Sequence, residues 1–221
     1  MRFALTGKKP LILVGDSAFA EVAFEYFTVE SEYEVVAFAV EQAYRRRDSL
    51  LGCPVVDFED VETRYDPSTH SFYAALVYTE RNALRRRLFD RAKSKGYAPA
   101  SFVSRGASVW RNVAMGEHCF TFENNVIQPF ARIGSNVVLW SGNHIGHHSE
   151  IGDDCFVASH VVVSGFVKVG RACFLGVNAT VANNVAIGDG CVIGAGALVL
   201  GDVPDGTTVV GMWRGRRPSA S

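Results

Sequence analysis

The segment Asn143-His144-Ile145-Gly146-His147-His148 holds three of the chain's six histidines within five residues. Histidine is the side chain that ordinarily changes protonation near neutral pH. A cluster of this kind therefore suits general-base chemistry, taking a proton from an amine or hydroxyl as it attacks an activated carbonyl. The oxyanion formed in such an attack needs a hydrogen-bond donor, and a backbone N–H at a glycine-rich corner is a natural one. The plain alternative for His147 is a solvent-facing corner residue. A lone histidine would favour that alternative, and the two neighbours weigh against it. His144 and His148 stay open between the two, whereas His70 and His118 read as ordinary surface residues.

The element that must position these histidines shows in a six-residue period. Every sixth residue from Val103 to Val199 makes seventeen positions, and all but Thr121 are aliphatic or Met. Glycine follows directly at 116, 134, 146, 152, 170, 176, 188 and 194, and side chains four residues on are mostly small. Six fits neither the 3.6 of a helix nor the 2 of a long strand. It fits a solenoid with faces one hexapeptide wide, an aliphatic residue pointing inward and glycine easing the corner. Three faces make an 18-residue coil, so residues 103–204 supply about 5.7 coils of a parallel β-helix. Cys119, Val137, Cys155, Cys173 and Cys191 are 18 apart and must stack in one column. A metal or redox ladder is one reading of that column, and small apolar filling of a narrow interior is the other, favoured by the burial preference of free cysteine.

The first ~95 residues follow a different pattern, that of a small α/β unit. Residues 11–14, 34–40 and 72–78 read as strands. Phe19, Val22, Ala23, Tyr26 and Phe27 mark one amphipathic helix with Ser17 as N-cap, and a second helix lies between Glu80 and Lys95, closed by Gly96. The expected division is residues 1–97, a joint at 97–101, the β-helix over 98–204 and a tail over 205–221. Gly15-Asp16-Ser17 sits at a strand-to-helix turn able to hold a phosphate, with Glu41 at the end of the second strand as a partner for a ribose or base. Only the first glycine of GxGxxG is present, which argues against a dinucleotide. A tight turn in a docking domain is the equal alternative. The triplets Arg45-Arg46-Arg47 and Arg85-Arg86-Arg87 read as a loop and a solvated helix face.

The 221 residues are 48% hydrophobic and 20% charged, with 22 Lys+Arg against 23 Asp+Glu and a net charge of -1. That is a globular composition without the basic footprint of a nucleic-acid binder. No apolar run is long enough to span a membrane, and residues 1–10 lack the apolar core of a signal peptide. Five cysteines without finger-type spacing complete the expectation of a soluble protein in a reducing cytoplasm.

Three segments carry a resemblance: Ile145-Gly146-His147-His148-Ser149-Glu150-Ile151-Gly152, Cys173-Phe174-Leu175-Gly176-Val177-Asn178-Ala179 and Ile193-Gly194-Ala195-Gly196-Ala197-Leu198-Val199. In these the chain resembles bacterial hexapeptide-repeat acyltransferases of the nucleotide-sugar and sialic-acid type. The resemblance implies a Rossmann-like N-terminal domain followed by a left-handed β-helix. It also implies a homotrimer that moves an acetyl group from acetyl-CoA to a sugar amine or hydroxyl, with the cofactor between neighbouring β-helices and no metal. Counting back from Ile151-Gly152 places the family's catalytic histidine at His147. The orienting carboxylate that often follows is replaced by His148, so Glu150 or Glu123 would substitute. A second family histidine matches Phe156, with His160 four residues on as its replacement. Ser164, Gly165, Gly176, Val177, Ala182, Gly194 and Ala195 match places along the pantetheine arm, although glycine is also the repeat's corner residue. Arg214, Arg216 and Arg217 would hold the 3′-phosphate of CoA and Trp213 would stack on adenine, unless the tail is simply basic. Gly15, Asp16, Ser17, Glu41 and His144 fall to the acceptor.

Two other classes compete. A zinc hydratase built on a β-helix would need three convergent histidines, for which His144, His148 and His160 are the candidates. A non-catalytic trimeric scaffold would use the α/β unit only for docking.

Overall fold

Runs of buried aliphatic residues make the strands of the first unit in the computed structural model, which describes residues 7–215. These are β1 (Lys9–Val14), β2 (Tyr33–Val40), β3 (Ser49–Leu50), β4 (Cys53–Asp57), β5 (Ser71–Ala74) and β6 (Ala98–Pro99), with helices α1 (Ala18–Glu30), α2 (Val61–Arg64) and α3 (Ala83–Ser94). The sheet order is β3-β4-β2-β1-β5-β6. All its pairs are parallel except the β3–β4 hairpin. Helix α1 buries Phe19, Ala20, Ala23 and Phe27, and Phe27 meets Tyr33 and Tyr73 at ring distances of 5.7 and 5.4 Å. Strand β5 ends at Ala74 rather than 78, and α3 starts only at Ala83. Glu80, Arg81 and Asn82 have φ of 53°, 53° and 67°, so the right-handed helix cannot begin before them. Segments as short as β3 and β6 carry no readable period, which is why the sequence does not announce them.

Two compact units result. One comprises the residues up to Val77 with Arg87–Ala100, and the other Tyr78–Arg86 with the residues from Ser101 onward. Among the described residues no helix is long and apolar enough to cross a membrane.

The second unit is a parallel β-helix. Each hexapeptide contributes a two-residue strand, the second residue of which points inward, and strands 18 residues apart pair in register. Three faces follow. The aromatic face carries Phe102, Phe120, Val138, Phe156 and Phe174 outward, and the aliphatic face Val126, His144, Val162 and Thr180. The charged face carries Ala114, Arg132, Glu150, Lys168 and Ala186. The inward positions from Ile127 to Val199 are buried together with the small residues four places on, forming one continuous core.

The cysteine column fills that core. Cys119, Cys155 and Cys173 each direct Sγ to the carbonyl of Gly134, Gly170 or Gly188 in the next coil, and Cys191 does so to Pro204, all at 3.1 Å. All five cysteines are free, and burial raises the Cys119 thiol to about 11. These are hydrogen-bonded space-fillers rather than a redox ladder.

Glycine has another role than easing the turn. From residue 118 to residue 196, the left-handed corner position lies three residues after the inward residue; non-glycine residues such as His118, Phe130, His148, Asp154, Phe166 and Ala172 hold it with φ between 54° and 65°, and Gly142, Gly190 and Gly196 hold it elsewhere. The glycine directly after the aliphatic residue is required by proximity instead. A Cβ on Gly146, for example, would fall 2.5 Å from the Ser164 backbone in the next coil.

Two expectations fail at the corner between the charged and aromatic faces. His118 is fully buried rather than a surface residue, and Arg85 is fully buried rather than on a solvated helix face. Asn136 Oδ1 can only accept, so His118 Nδ1, 2.8 Å away, donates to it. Asn136 Nδ2 in turn donates to Asp154 Oδ1 at 2.9 Å. The Arg85 guanidinium donates to Asn136 Oδ1 and to the carbonyls of Asn136, Asp154 and Cys155 at 3.0–3.2 Å. Its remaining nitrogen reaches Asn82 Oδ1, and Asn82 Nδ2 donates to Cys173 O. The charge is tolerated in the interior because all three guanidinium nitrogens donate to oxygens. Tyr78 completes the cover, its ring 4.1 Å from that of Phe174 and 5.5 Å from that of Phe156.

Candidate active site

At the corner where the aliphatic face turns into the charged face, the repeat stacks Pro129, His147, Gly165 and Asn183 in one column and Phe130, His148, Phe166 and Asn184 in the next. His147 and His148 are both exposed. The His147 amide donates to Gln128 Oε1 at 3.0 Å, and its Nδ1 lies 3.2 Å from His148 Nδ1. The His148 ring stacks between Phe130 (4.7 Å, 24°) and Phe166 (4.9 Å, 14°). His147 stands edge-on to Phe166 at 5.0 Å and 87°. Its far edge lies over Gly165, where an added Cβ would come 2.8 Å from both Cε1 and Nε2. Only glycine at 165 therefore lets the imidazole lie where it does. The geometry offers one ring nitrogen tied to a neighbour and the other free, the arrangement a general base needs.

Sequence reasoning missed Gln128, Phe130 and Phe166. The 18-residue spacing could have found the two phenylalanines, since they are the column neighbours of His148.

Glu150 stands on the charged face, in register with Arg132 and Lys168. It lines a groove of about 960 Å³ that also borders Asp189, Asp202 and Trp213. Among the described residues the only polar partner of the His147 ring is His148, so Glu150 does not orient it here. His144 projects from the aliphatic face between Val126 and Val162. His160 occupies the corner between the aromatic and aliphatic faces, its ring over Gly142. His144, His148 and His160 thus occupy one face and two different corners. Among the described residues no group of three or more metal-ligating side chains is assembled.

The residues matched to the pantetheine arm fall into two sets. Ser164, Gly165 and Ala182 continue the His147 corner, whereas Gly176, Val177, Gly194 and Ala195 belong to the His160 corner. The two corners flank the aliphatic face, which bears the exposed Val126, Val162 and Met212. Arg214 is exposed at the end of the described chain, and Arg216 and Arg217 lie outside the described residues. Trp213 is in register with the inward Val199, packs against the core and donates its indole N–H to Asp202 O at 3.0 Å. It caps the end of the prism, half-buried, with part of its ring on the groove.

In the α/β unit, Gly15 has φ 110° and a Cβ there would lie 3.1 Å from Ala75 O, so the turn needs glycine. Asp16 pairs with Arg47 at 3.4 Å, and Ser17 precedes α1 without a side-chain cap. Glu41 faces two arginines. Both its oxygens accept from Arg87 at 2.7 and 2.8 Å and one also from Arg91, and the Arg87 hydrogen bond holds its carboxyl below the usual range.

With this geometry in place, residues 130–165 and 166–201 match the family described as bacterial transferase hexapeptide (six repeats). Residues 130–201 carry the bacterial transferase hexapeptide repeat. Solved structures extend the likeness of this hexapeptide protein to nearly its whole length. A histidine-to-asparagine variant of perosamine N-acetyltransferase from Caulobacter crescentus, in complex with CoA and GDP-perosamine, is 25% identical with a TM-score of 0.81, covering 96% of each chain. The PerB structure from the same organism is 26% identical at TM-score 0.79, covering 93% of this chain and 94% of that one. The acetyltransferase domain of PglB from Neisseria gonorrhoeae shares the fold at 20% identity and TM-score 0.81, over 91% and 96% of the two chains. A search of curated proteins finds no match. The chain resembles the hexapeptide-repeat sugar acyltransferases in repeat and in fold.

Proposed function

We propose that this protein transfers an acetyl group from acetyl-CoA to an amine of a nucleotide-linked sugar, with His147 as general base. The observation that carries the proposal is the exposed His147 ring, Nδ1 tied to His148 and Nε2 edge over the bare backbone of Gly165. The perosamine N-acetyltransferase relative, solved with CoA and a GDP-linked sugar, supports both substrate classes and favours nitrogen over oxygen as the attacked atom. As the acceptor nitrogen bonds to the thioester carbon, its proton passes to His147 Nε2. When the tetrahedral intermediate collapses, the C–S bond breaks and the same proton leaves with the CoA thiolate. No acyl-enzyme is needed.

The chain acts, in this proposal, as a homotrimer. The exposed Val126, Val162 and Met212 of the aliphatic face are the surface a second copy would cover. One copy would then supply the His147 corner and its neighbour the His160 corner to the same CoA molecule, which accounts for the matched residues falling on two corners. The small side chains at Gly165, Ala182, Gly194 and Ala195 leave room for a thin acyl arm. The finer fold reading, a Rossmann-like first unit and a left-handed coil, belongs to the same proposal. Strand order reverses between β1 and β5 in the first unit, and the crevice beyond their carboxyl ends, at Gly15, Asp16 and Ser17, is where α/β sheets bind ligands. On this proposal the protein acts in the cytoplasm, the reducing setting in which its five free cysteines would stay unpaired.

Calorimetric titration of acetyl-CoA tests the proposal. Binding near one equivalent per chain is expected, preserved in His147→Ala while the transfer rate falls at least ~10²-fold. No heat from the wild-type protein would overturn it in favour of a scaffold.

A further inference from the structure

We infer that His148 is a positioning residue. Held flat between Phe130 and Phe166, it accepts the Nδ1 proton of His147 and thereby leaves the His147 Nε2 lone pair free to act. The inference rests on the acetyltransferase reading of His147, and its test separates the two.

A hydrogen bond between two imidazole nitrogens contains one proton, so at 3.2 Å one Nδ1 donates and the other accepts. If His148 donated, neutral His147 would carry its own proton on Nε2 and could take none from a substrate. If His147 donates, Nε2 carries its lone pair where it lies over Gly165, a position with no side chain of its own. The clamp makes the second arrangement durable. His148 is stacked on both sides at 4.7 and 4.9 Å and its corner backbone at φ 58° is set by the repeat, so its ring plane is held, and within that plane Nδ1 is the edge turned to His147. His147 touches Phe166 only edge-on, and its orientation therefore depends on the partner.

The clamp also explains the choice of residue. The faces of two phenyl rings carry negative partial charge and would repel a carboxylate in this slot, whereas a neutral imidazole stacks there and still accepts a proton. Once His147 holds the proton taken from the acceptor amine, its positive charge is shared through Nδ1–H with a ring lying between two π-faces, which favour a cation. Charge and proton balance without a further reactant: the proton enters at Nε2, the C–N bond forms, the C–S bond breaks, and the proton leaves on the CoA sulfur.

The direct test is nitrogen–proton correlation NMR of the full-length protein labelled in its histidines, with signals assigned by the single variants. The expected result is His147 protonated on Nδ1 in the wild type, with that preference lost in His148→Ala. His147 protonated on Nε2 in the wild type overturns the inference whatever the activity proves to be. Kinetics supply the second arm. His148→Ala should lower kcat at least ~10-fold, by analogy with loss of the residue that sets the histidine tautomer in a Ser-His-Asp triad, and leave KM for acetyl-CoA unchanged. His148→Asn, with an amide oxygen able to reach the place of Nδ1, should recover most of the loss. Neither variant is expected to unfold the corner, since Ala172 and Asn136 already hold the same left-handed position elsewhere in the prism. Wild-type turnover in His148→Ala, or Asn no better than Ala, also sinks the inference. Wild-type turnover in His147→Ala would instead remove the general-base reading and leave the NMR arm to decide the pairing.

Discussion

His118 and His148 occupy the same place in the hexapeptide, three residues after an inward Met115 or Ile145, with φ of 59° and 58°. One is buried, donating to Asn136 beneath Arg85, and the other is exposed between two phenylalanine rings beside His147. The backbone does not distinguish them. What distinguishes them is what covers the corner. Residues 78–86 lie against the charged-to-aromatic corner and convert its polar groups into a closed hydrogen-bond network, whereas the described residues leave the aliphatic-to-charged corner open. Covered, the repeat's corner residues contribute to stability. Open, they are available for chemistry.

This contrast can be broken from either side. The largest effect should come from Arg85→Leu, which strands several buried oxygens and is expected to cost roughly 3–5 kcal/mol in denaturant unfolding. Turnover per folded molecule should be kept, and a variant as stable as wild type would show that the network is not closed. At the open corner the prediction inverts. His147→Ala should leave the unfolding midpoint within ~0.5 kcal/mol of wild type while acetyl transfer falls at least ~10²-fold.

Gly165→Ala sharpens the same point, because the new methyl must displace the His147 ring. A loss of about 10- to 100-fold in kcat is expected for a misplacement of this size, with circular dichroism unchanged. His118→Ala should cost about 1 kcal/mol by removing one of the two donors to Asn136 Oδ1, with kcat unaltered. Any drop in kcat there would argue that the covered corner is coupled to the chemistry.

The smallest effect concerns the first unit. Glu41 has its folded-state pKa depressed by Arg87, so its contribution to stability is present above the usual carboxylate value of 4.5 and lost as pH falls through the lower folded value. Glu41→Gln should therefore reduce stability by at most ~1 kcal/mol at pH 7, the arginines being partly exposed, and the difference should vanish in acid. A constant difference down to pH 3 would show that the ion pair is not its source.

The β-helix was legible because its physics is local and periodic. A residue that points inward once per face must be apolar at every sixth position, and coils stacked at β-sheet spacing leave no room for a Cβ at Gly146 or Gly152. The same period assigned the cysteine column to the interior and His147 to a corner. The period did not reveal which corner is covered. Arg85 reads as one of three arginines on a helix, yet its neighbour Arg87 pairs with Glu41 while Arg85 itself is buried among carbonyls from residues 136, 154 and 155. Those contacts join positions 51 to 70 residues apart and depend on a left-handed turn at 80–82 that no propensity announces. The pairing of Glu41 is hidden from the sequence for the same reason, since its partners lie 46 and 50 residues away. From the sequence alone come the prism, its register and the set of residues displayed at each corner, because these follow from steric repetition along the chain. Tertiary structure alone decided which displayed histidine is sealed into a polar network and which is left with a free ring nitrogen, because burial depends on segments that meet only when the chain is folded.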